Sequence, residues 1–474
     1  MSAFVSVAYV LVTFTLVVLF FSSRRLIADK AKLNELLHSP AQTLEQTILE
    51  TNSVVGIKRN GRTDYIIPKE FTSRVMNDDR TFNFDRGLAK LLNLQLVLKL
   101  HGGTFFKDMQ EIVLEFFVRR LATTVTQIYP VFQKHAQQLK EQHPPVDLTV
   151  HAQKAMSEAM MLVLFGQDYV NEDDCQAATN LSEDIAEFVG ILQNQAWFSR
   201  NFPRLWHLVT WVRVGVFRIA LGFGMSIGLR LWSDISHLSE NPEEKKTNPT
   251  ILPILVDRYR SPDGAIPVTS KLWIMVLLTT GVFGSTRQIA TNIVGVVFYL
   301  ALNPDYQTIL REEIRSLRRV DSHPNLQTLK HAIQTDSFIR EVFRMKGDAL
   351  TAVRMTTCDV PLGEHIIPKN HLVFPMTYMC NRSAPAGECS DKFQGMRWVS
   401  TRWSADKVDA GYLPFGLGKW ACPGRALAIA VIKIFLFTTF PDAELELQGQ
   451  TYTVADRSYM ASLPPKGHLL IKSL

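Results

Sequence analysis

Among the five cysteines of this 474-residue chain there is no CxxC pair and no regular spacing, and their number is odd. A disulfide framework is therefore not expected, and free thiols fit a reducing compartment. A zinc site would need further Cys or His at short intervals, and these are absent. There is no internal repeat, no low-complexity tract and no dense basic stripe. A net charge of +6 spread over scattered residues argues against a nucleic-acid surface, while leaving an acidic protein partner or an anionic membrane open. With 46% apolar and 20% charged residues, the chain is neither disordered nor collagen-like.

Charge is also missing from "AFVSVAYVLVTFTLVVLFF", residues 3 to 21, a run of 19 residues just long enough to cross a bilayer. Arg24 and Arg25 follow it, whereas a cleaved signal peptide carries its positive charge before a shorter apolar core. The expectation is a membrane anchor over residues 1 to 23, a polar linker over 24 to 50, and a folded domain over 51 to 474 facing the cytosol. On that side the sequons at Asn180 and Asn381 stay idle.

Along the body, "SVVGIKRNGRTDYIIP" reads as a hairpin turning at Asn60-Gly61. Residues 105 to 235 are mostly helical, with a stop near His143-Pro144-Pro145. Residues 205 to 232 have the apolarity of a second span, but Arg213 and Arg218 lie inside it, so the reading is a pair of amphipathic helices at a membrane surface. "SENPEEKKTNPT" is a surface loop. A long apolar helix over 269 to 302 crosses the core, another covers 326 to 346, short strands occupy 351 to 376, and the last segment reads as a hairpin.

"PFGLGKWACPGRALAIA", residues 414 to 430, sets one cysteine in a glycine-rich turn ahead of an apolar helix. Gly416, Gly418 and Gly424 allow positive φ or close approach, and Pro423 suits a first helical position. Cys422 then sits at a helix N-terminus that favours a thiolate. A nucleophile would need a histidine base folded in from afar. A single thiolate with close-approach glycines suits one axial bond to a flat cofactor, and haem is the cofactor a lone Cys holds.

Phe415-x-x-Gly418-x-Trp420-x-Cys422-x-Gly424 resembles the haem-binding signature of the cytochrome P450 family, and "ACPGR" resembles its fungal form. Trp420 stands where the family has a basic residue bonded to a haem propionate; its indole N–H offers one donor without charge. Glu341 and Arg344 in "REVFR", about 80 residues before the Cys, resemble the family's ExxR helix. The resemblance implies that Arg397 in "FQGMRW" completes a buried cluster, and that Arg354 is the β-segment arginine reaching a propionate. No tryptophan-containing haem-contact helix is recognisable near residues 110 to 130.

The pattern breaks on the long helix. The family's Gly-x-acid-Thr stretch falls on Gly284-Ser285-Thr286-Arg287-Gln288, with Arg287 and Gln288 where an acid and an alcohol normally relay protons. Three readings stand. Arg287 points to a salt bridge away from the pocket and Thr286 or Ser285 serves the relay; Gln288 positions water; or the enzyme rearranges its substrate without a reductase.

The resemblance implies a mainly α fold with a small β portion, the cytochrome P450 fold, preceded by one N-terminal transmembrane helix. It implies a haem-thiolate monooxygenase of the endoplasmic reticulum membrane, with Cys422 on iron and NADPH electrons arriving through a membrane-bound reductase. The substrate expected is an apolar terpenoid, indole-terpenoid or polyketide-type intermediate of fungal secondary metabolism. The alternatives are a haem-thiolate isomerase or dehydratase that does not use dioxygen, and a non-enzymatic haem carrier or scaffold.

Overall fold

The computed structural model describes residues 53–59, 62–142, 145–190, 197–241, 248–262, 264–346, 350, 352–382, 389–454 and 462–474. The anchor, the linker and the Asn60-Gly61 turn lie outside the described residues.

The strands expected on either side of that turn form: β1 (Val55–Arg59) pairs antiparallel with β2 (Arg62–Ile67). With β3 (Phe82–Asn83), β4 (Arg354–Thr356) and β7 (Leu372–Pro375) they make a five-stranded sheet of order β1-β2-β7-β4-β3. β5 (Val360–Leu362) and β6 (His365–Ile367) form a separate hairpin. The C-terminal segment folds back on itself as a hairpin does, Thr453 and Lys466 pairing antiparallel with each N–H donating to the other's carbonyl at 2.9 and 2.8 Å. Its strand β9 (Leu469–Ser473) runs antiparallel to β8 (Ala443–Leu447), placing Leu445 opposite Ile471 and burying Leu445, Leu447 and Leu469 against the core.

The helices used below are α1 (Thr72–Asn77), α2 (Phe84–Leu91), α3 (Phe105–Val113), α4 (Leu121–Glu141), α5 (Leu148–Leu164), α6 (Glu172–Phe188), α7 (Pro203–Glu240), α8 (Val268–Ala301), α9 (Ile333–Lys346), α10 (Thr377–Asn381) and α11 (Arg425–Thr439). α5 starts where the Asp147 carboxylate accepts from the Thr149 and Val150 N–H groups, and α6 where Asn171 caps Asp174. α8 runs 34 residues through the middle of the molecule, packed on α5 and α6, because neither proline nor a capping sequence interrupts it before Asn303-Pro304. The helix expected over 326 to 346 divides at Ala332, leaving Leu326–His331 as a separate turn. Asn381 is fully buried, its amide oxygen accepting from the Leu413 N–H, so its sequon is closed to modification.

α7 is one continuous helix rather than a pair. No proline or cap breaks it between Pro203 and Glu240, and its middle, Trp211–Gly228, is wound with the wider π repeat. Both arginines point at protein: Arg213 pairs with Glu187 and Arg218 lies 2.9 Å from Asp184, both acids on α6. The residues left exposed on α7 include Leu208, Val212, Phe217, Leu221, Met225 and Leu229, an apolar ridge along the helix.

Between α4 and α5 the core buries two histidines with ring centroids 5.6 Å apart. His135 Nε2 is 2.8 Å from Glu158, while His151 Nε2 is buried with no partner among the described residues. Burial first, and then the neighbouring His135, push the His151 pKa from 6.5 down to about 4. The unfolded chain therefore takes up a proton near pH 6.5 that the folded chain refuses until about pH 4. Stability is complete above pH 6.5 and falls as the pH drops through that window. Urea unfolding should lose about 2 kcal/mol between pH 7.5 and pH 5 from this group. His151→Leu should flatten that slope.

Candidate functional site

The loop before α11 is built for close approach. Gly416 and Gly418 have φ of 72° and 71°, and a Cβ at Gly418 would stand 2.3 Å from Asn77 Oδ1 at the end of α1. A short turn at Gly418–Trp420 and a bond from the Cys422 N–H to the Phe415 carbonyl, 2.7 Å, fold the loop back on itself. Phe415 is buried and packs on Phe343 of α9 at 5.7 Å between centroids. The Gln110 amide of α3 donates to the Lys419 carbonyl at 2.7 Å and fixes the loop from the other side.

The helix begins later than its sequence suggests. Gly424 is its cap and Arg425 its first residue, so Pro423 belongs to the loop rather than to the first helical position. The N–H groups of Gly424 and Arg425 are nonetheless directed at Cys422, and they oppose the burial that pushes its thiol up. Cys422 keeps an exposed surface although protein crowds it on nearly every side, the combination expected of a residue lining an internal recess. Cys380 differs in every respect. It is fully buried on α10, its sulfur 3.4 Å from the Thr72 hydroxyl, and burial raises its pKa to about 11.

Arg354 on β4 is buried beneath the same region. Its guanidinium donates to the Val353 and Met76 carbonyls at 2.8 and 3.0 Å, while its Nε has no partner among the described residues. Burial, only partly offset by Asp79, lowers its pKa to about 10. A buried cation whose bonds go to neutral carbonyls, with one donor left over, is matched to an anion. Trp420 is placed differently from expectation: its indole N–H donates to Asp79 Oδ1 at 2.8 Å. The donors present, Cys422 sulfur and Arg354, fit an axially bound macrocycle with an acidic edge.

On α8, Gly284 and Gln288 share a face one turn apart, and both are exposed. Farther along, that face meets α9. Lys346 Nζ lies 3.3 Å from Asn292 Oδ1, and a Cβ on Gly295 would meet the Lys346 side chain at 3.7 Å. α9 also carries Phe343 against the Cys loop. Thr286 is on the opposite, fully buried face, its hydroxyl unpartnered among the described residues. Ser285 donates to the Gly281 carbonyl at 2.6 Å. Arg287 leaves sideways to pair with Glu183 of α6, whose carboxylate also accepts from Gln153 of α5 at 2.8 Å.

Glu341 and Arg344 form a two-bond pair on α9, at 2.9 and 2.8 Å, and Arg397 Nε lies 3.0 Å from Glu341. Burial raises the Glu341 pKa, but Arg344, the Gln394 N–H and Arg397 outweigh it and hold the carboxyl below its usual range. One partner of Glu341 and a neighbouring buried cation escaped sequence reasoning. The Trp398 indole donates to Glu341 at 3.0 Å, and fully buried Arg340 spans Asp409 at 3.0 Å and the Tyr412 ring at 3.8 Å. Trp398 directly follows Arg397, and that adjacency was the available signal.

Comparison with known proteins agrees with this architecture. The chain is 29% identical over 224 residues to cytochrome P450 monooxygenase CYP512U6 of Ganoderma lucidum, covering 44% of each chain. It is 27% identical over 262 residues to cytochrome P450 monooxygenase gliF of Aspergillus fumigatus, covering 49% of this chain and 51% of the relative. With cytochrome P450 2K6 of Danio rerio the identity is 31% over 141 residues, covering 30% of this chain and 27% of the relative. The chain thus spans about half or less of the length of these relatives. The family model described as cytochrome P450 matches residues 54–471, and the chain belongs to that family.

Proposed function

We propose that this chain is a haem-thiolate monooxygenase in which Cys422 is the axial thiolate. The observation that carries the reading is the Cys422 setting: one cysteine on an internal recess, in a loop whose glycines admit a flat group, with two backbone N–H groups directed at its sulfur. Bound there, haem would supply activation of dioxygen with a thiolate that donates electron density to the iron. Arg354 would hold an acidic edge of the group, while Phe415 and Phe343 exclude water beside the sulfur. Gln288, exposed on α8, carries an amide that would bind and orient water without supplying a proton of its own. Arg287, engaged with Glu183, takes no part at the recess.

Electrons come from NADPH through a membrane-bound reductase, as the family resemblance implies. The substrate is an apolar small molecule, of terpenoid, indole-terpenoid or polyketide type, from fungal secondary metabolism, a reading that rests on analogy with the fungal form of the Cys motif. The enzyme is held at the endoplasmic reticulum membrane by residues 1 to 23, with residues 51 to 474 forming the cytosolic catalytic domain. The uncharged ridge of α7 supports contact with the bilayer.

Incubation with reductase, NADPH and isotopically labelled dioxygen tests the reaction. Label should appear in the product. Turnover without label, and without NADPH consumption, would favour the isomerase or dehydratase, a reading that the absence of an acid at 287 keeps open.

A further inference from the structure

The position that the family resemblance assigns to a propionate-binding base is occupied by Trp420, and its one polar atom is already committed. The indole N–H donates to Asp79 at 2.8 Å, and Asp79 also draws Lys419 Nζ to 3.6 Å. What Trp420 offers instead is its ring. It lies nearly parallel to Phe84, with centroids 4.6 Å apart and planes inclined by 15°. The same Phe84 ring lies under the Arg354 guanidinium, 5.1 Å from its centroid. Trp420, Phe84 and Arg354 are therefore linked through one shared ring, and only the last has an uncommitted donor.

The frame around that ring leaves little slack. Phe84 opens α2, which Asn83 caps by accepting the Arg86 N–H at 2.8 Å. α2 is pressed so closely onto β4 that a Cβ on Gly87 would stand 2.9 Å from the Arg354 backbone. A displaced Phe84 would leave Arg354 without a surface to lie on. A guanidinium without that surface keeps its planar fork but loses one of the contacts that fix its orientation.

We propose that Trp420 is a positioning residue: through Phe84 it holds Arg354 in place, so that one guanidinium supported by an aromatic stack secures the acidic edge of the cofactor. This deepens the haem reading and depends on it. The consequence is that Trp420 matters for its ring and not for its N–H, and matters only while Arg354 is present.

The test is the rate at which the full-length, haem-loaded protein releases haem to excess apomyoglobin, with circular dichroism to check the fold of each variant. Trp420→Phe keeps a stacking ring and removes the donor; its release rate should stay within about twofold of the original. Trp420→Ala should release haem about three- to tenfold faster, the scale of a lost aromatic contact. Arg354→Gln should be faster still, and Trp420→Ala added to Arg354→Gln should accelerate it no further. Two results would overturn the proposal: equal acceleration by Trp420→Phe and Trp420→Ala, or effects of Trp420→Ala and Arg354→Gln that multiply independently. Purified protein that takes up no haem at all would instead overturn the haem-thiolate reading beneath it.

Discussion

Cys422→Ser is expected to leave the fold in place and to abolish both the thiolate signature of the reduced carbon monoxide complex and oxygenation. Serine is nearly isosteric, and the loop geometry does not depend on sulfur. Gly416 and Gly418 keep their left-handed conformation, and the bond to the Phe415 carbonyl uses the backbone N–H of residue 422. What changes is the donor atom. A serine oxygen does not supply the electron donation of a thiolate, whether or not it meets the iron. Cys380→Ser supplies the control. Its sulfur meets the Thr72 hydroxyl inside the core, so that variant should keep the spectrum and show at most a small loss of stability. If the two variants exchanged phenotypes, the assignment of the axial ligand would be wrong.

The second large effect is on folding. Glu341→Gln removes the charge that two arginines and an indole share at the centre of α9. Arg344, 1% exposed, would then be a buried cation facing an amide, with Arg397 beside it. Breaking a buried pair from one side costs about 3–5 kcal/mol, a large part of the stability of an ordinary domain. Thermal unfolding and soluble yield should both drop sharply. Arg397→Gln, at the more accessible rim, should be milder, because Arg344 still neutralises the carboxylate. A Glu341→Gln protein with unchanged melting behaviour would mean that the cluster contributes nothing to stability.

How much of this was legible in the sequence follows from the range of each contact. The Cys422 loop and the Glu341–Arg344 pair were visible because their meaning is local: glycines around one thiol, and two charges three residues apart. α8 was visible because nothing in 34 residues stops a helix. The partners that complete each group come from far away in the chain. Trp398 reaches Glu341 across 57 positions, and Asp79 reaches Trp420 across 341, so no spacing rule could announce them. The role suggested for the Trp420 N–H failed for that reason, since a free donor in the sequence was a committed one in the fold. The C-terminal hairpin was legible, and Thr453 pairs with Lys466, but the neighbour of its last strand was not, because alternation reveals that a strand exists and not what it pairs with; β9 pairs with β8. The break expected within residues 205 to 232 came from treating Arg213 and Arg218 as obstacles, whereas Glu187 and Asp184 of α6 neutralise them from inside.

The carboxylate of Glu183 is the meeting point of three helices, accepting from Gln153 of α5 and Arg287 of α8 while riding on α6. Anyone seeking to re-equip α8 by rational engineering inherits that knot. Writing an aspartate into position 287 alone would set two negative groups against each other, so a family-type acid there calls for residue 183 to lose or reverse its charge in the same step.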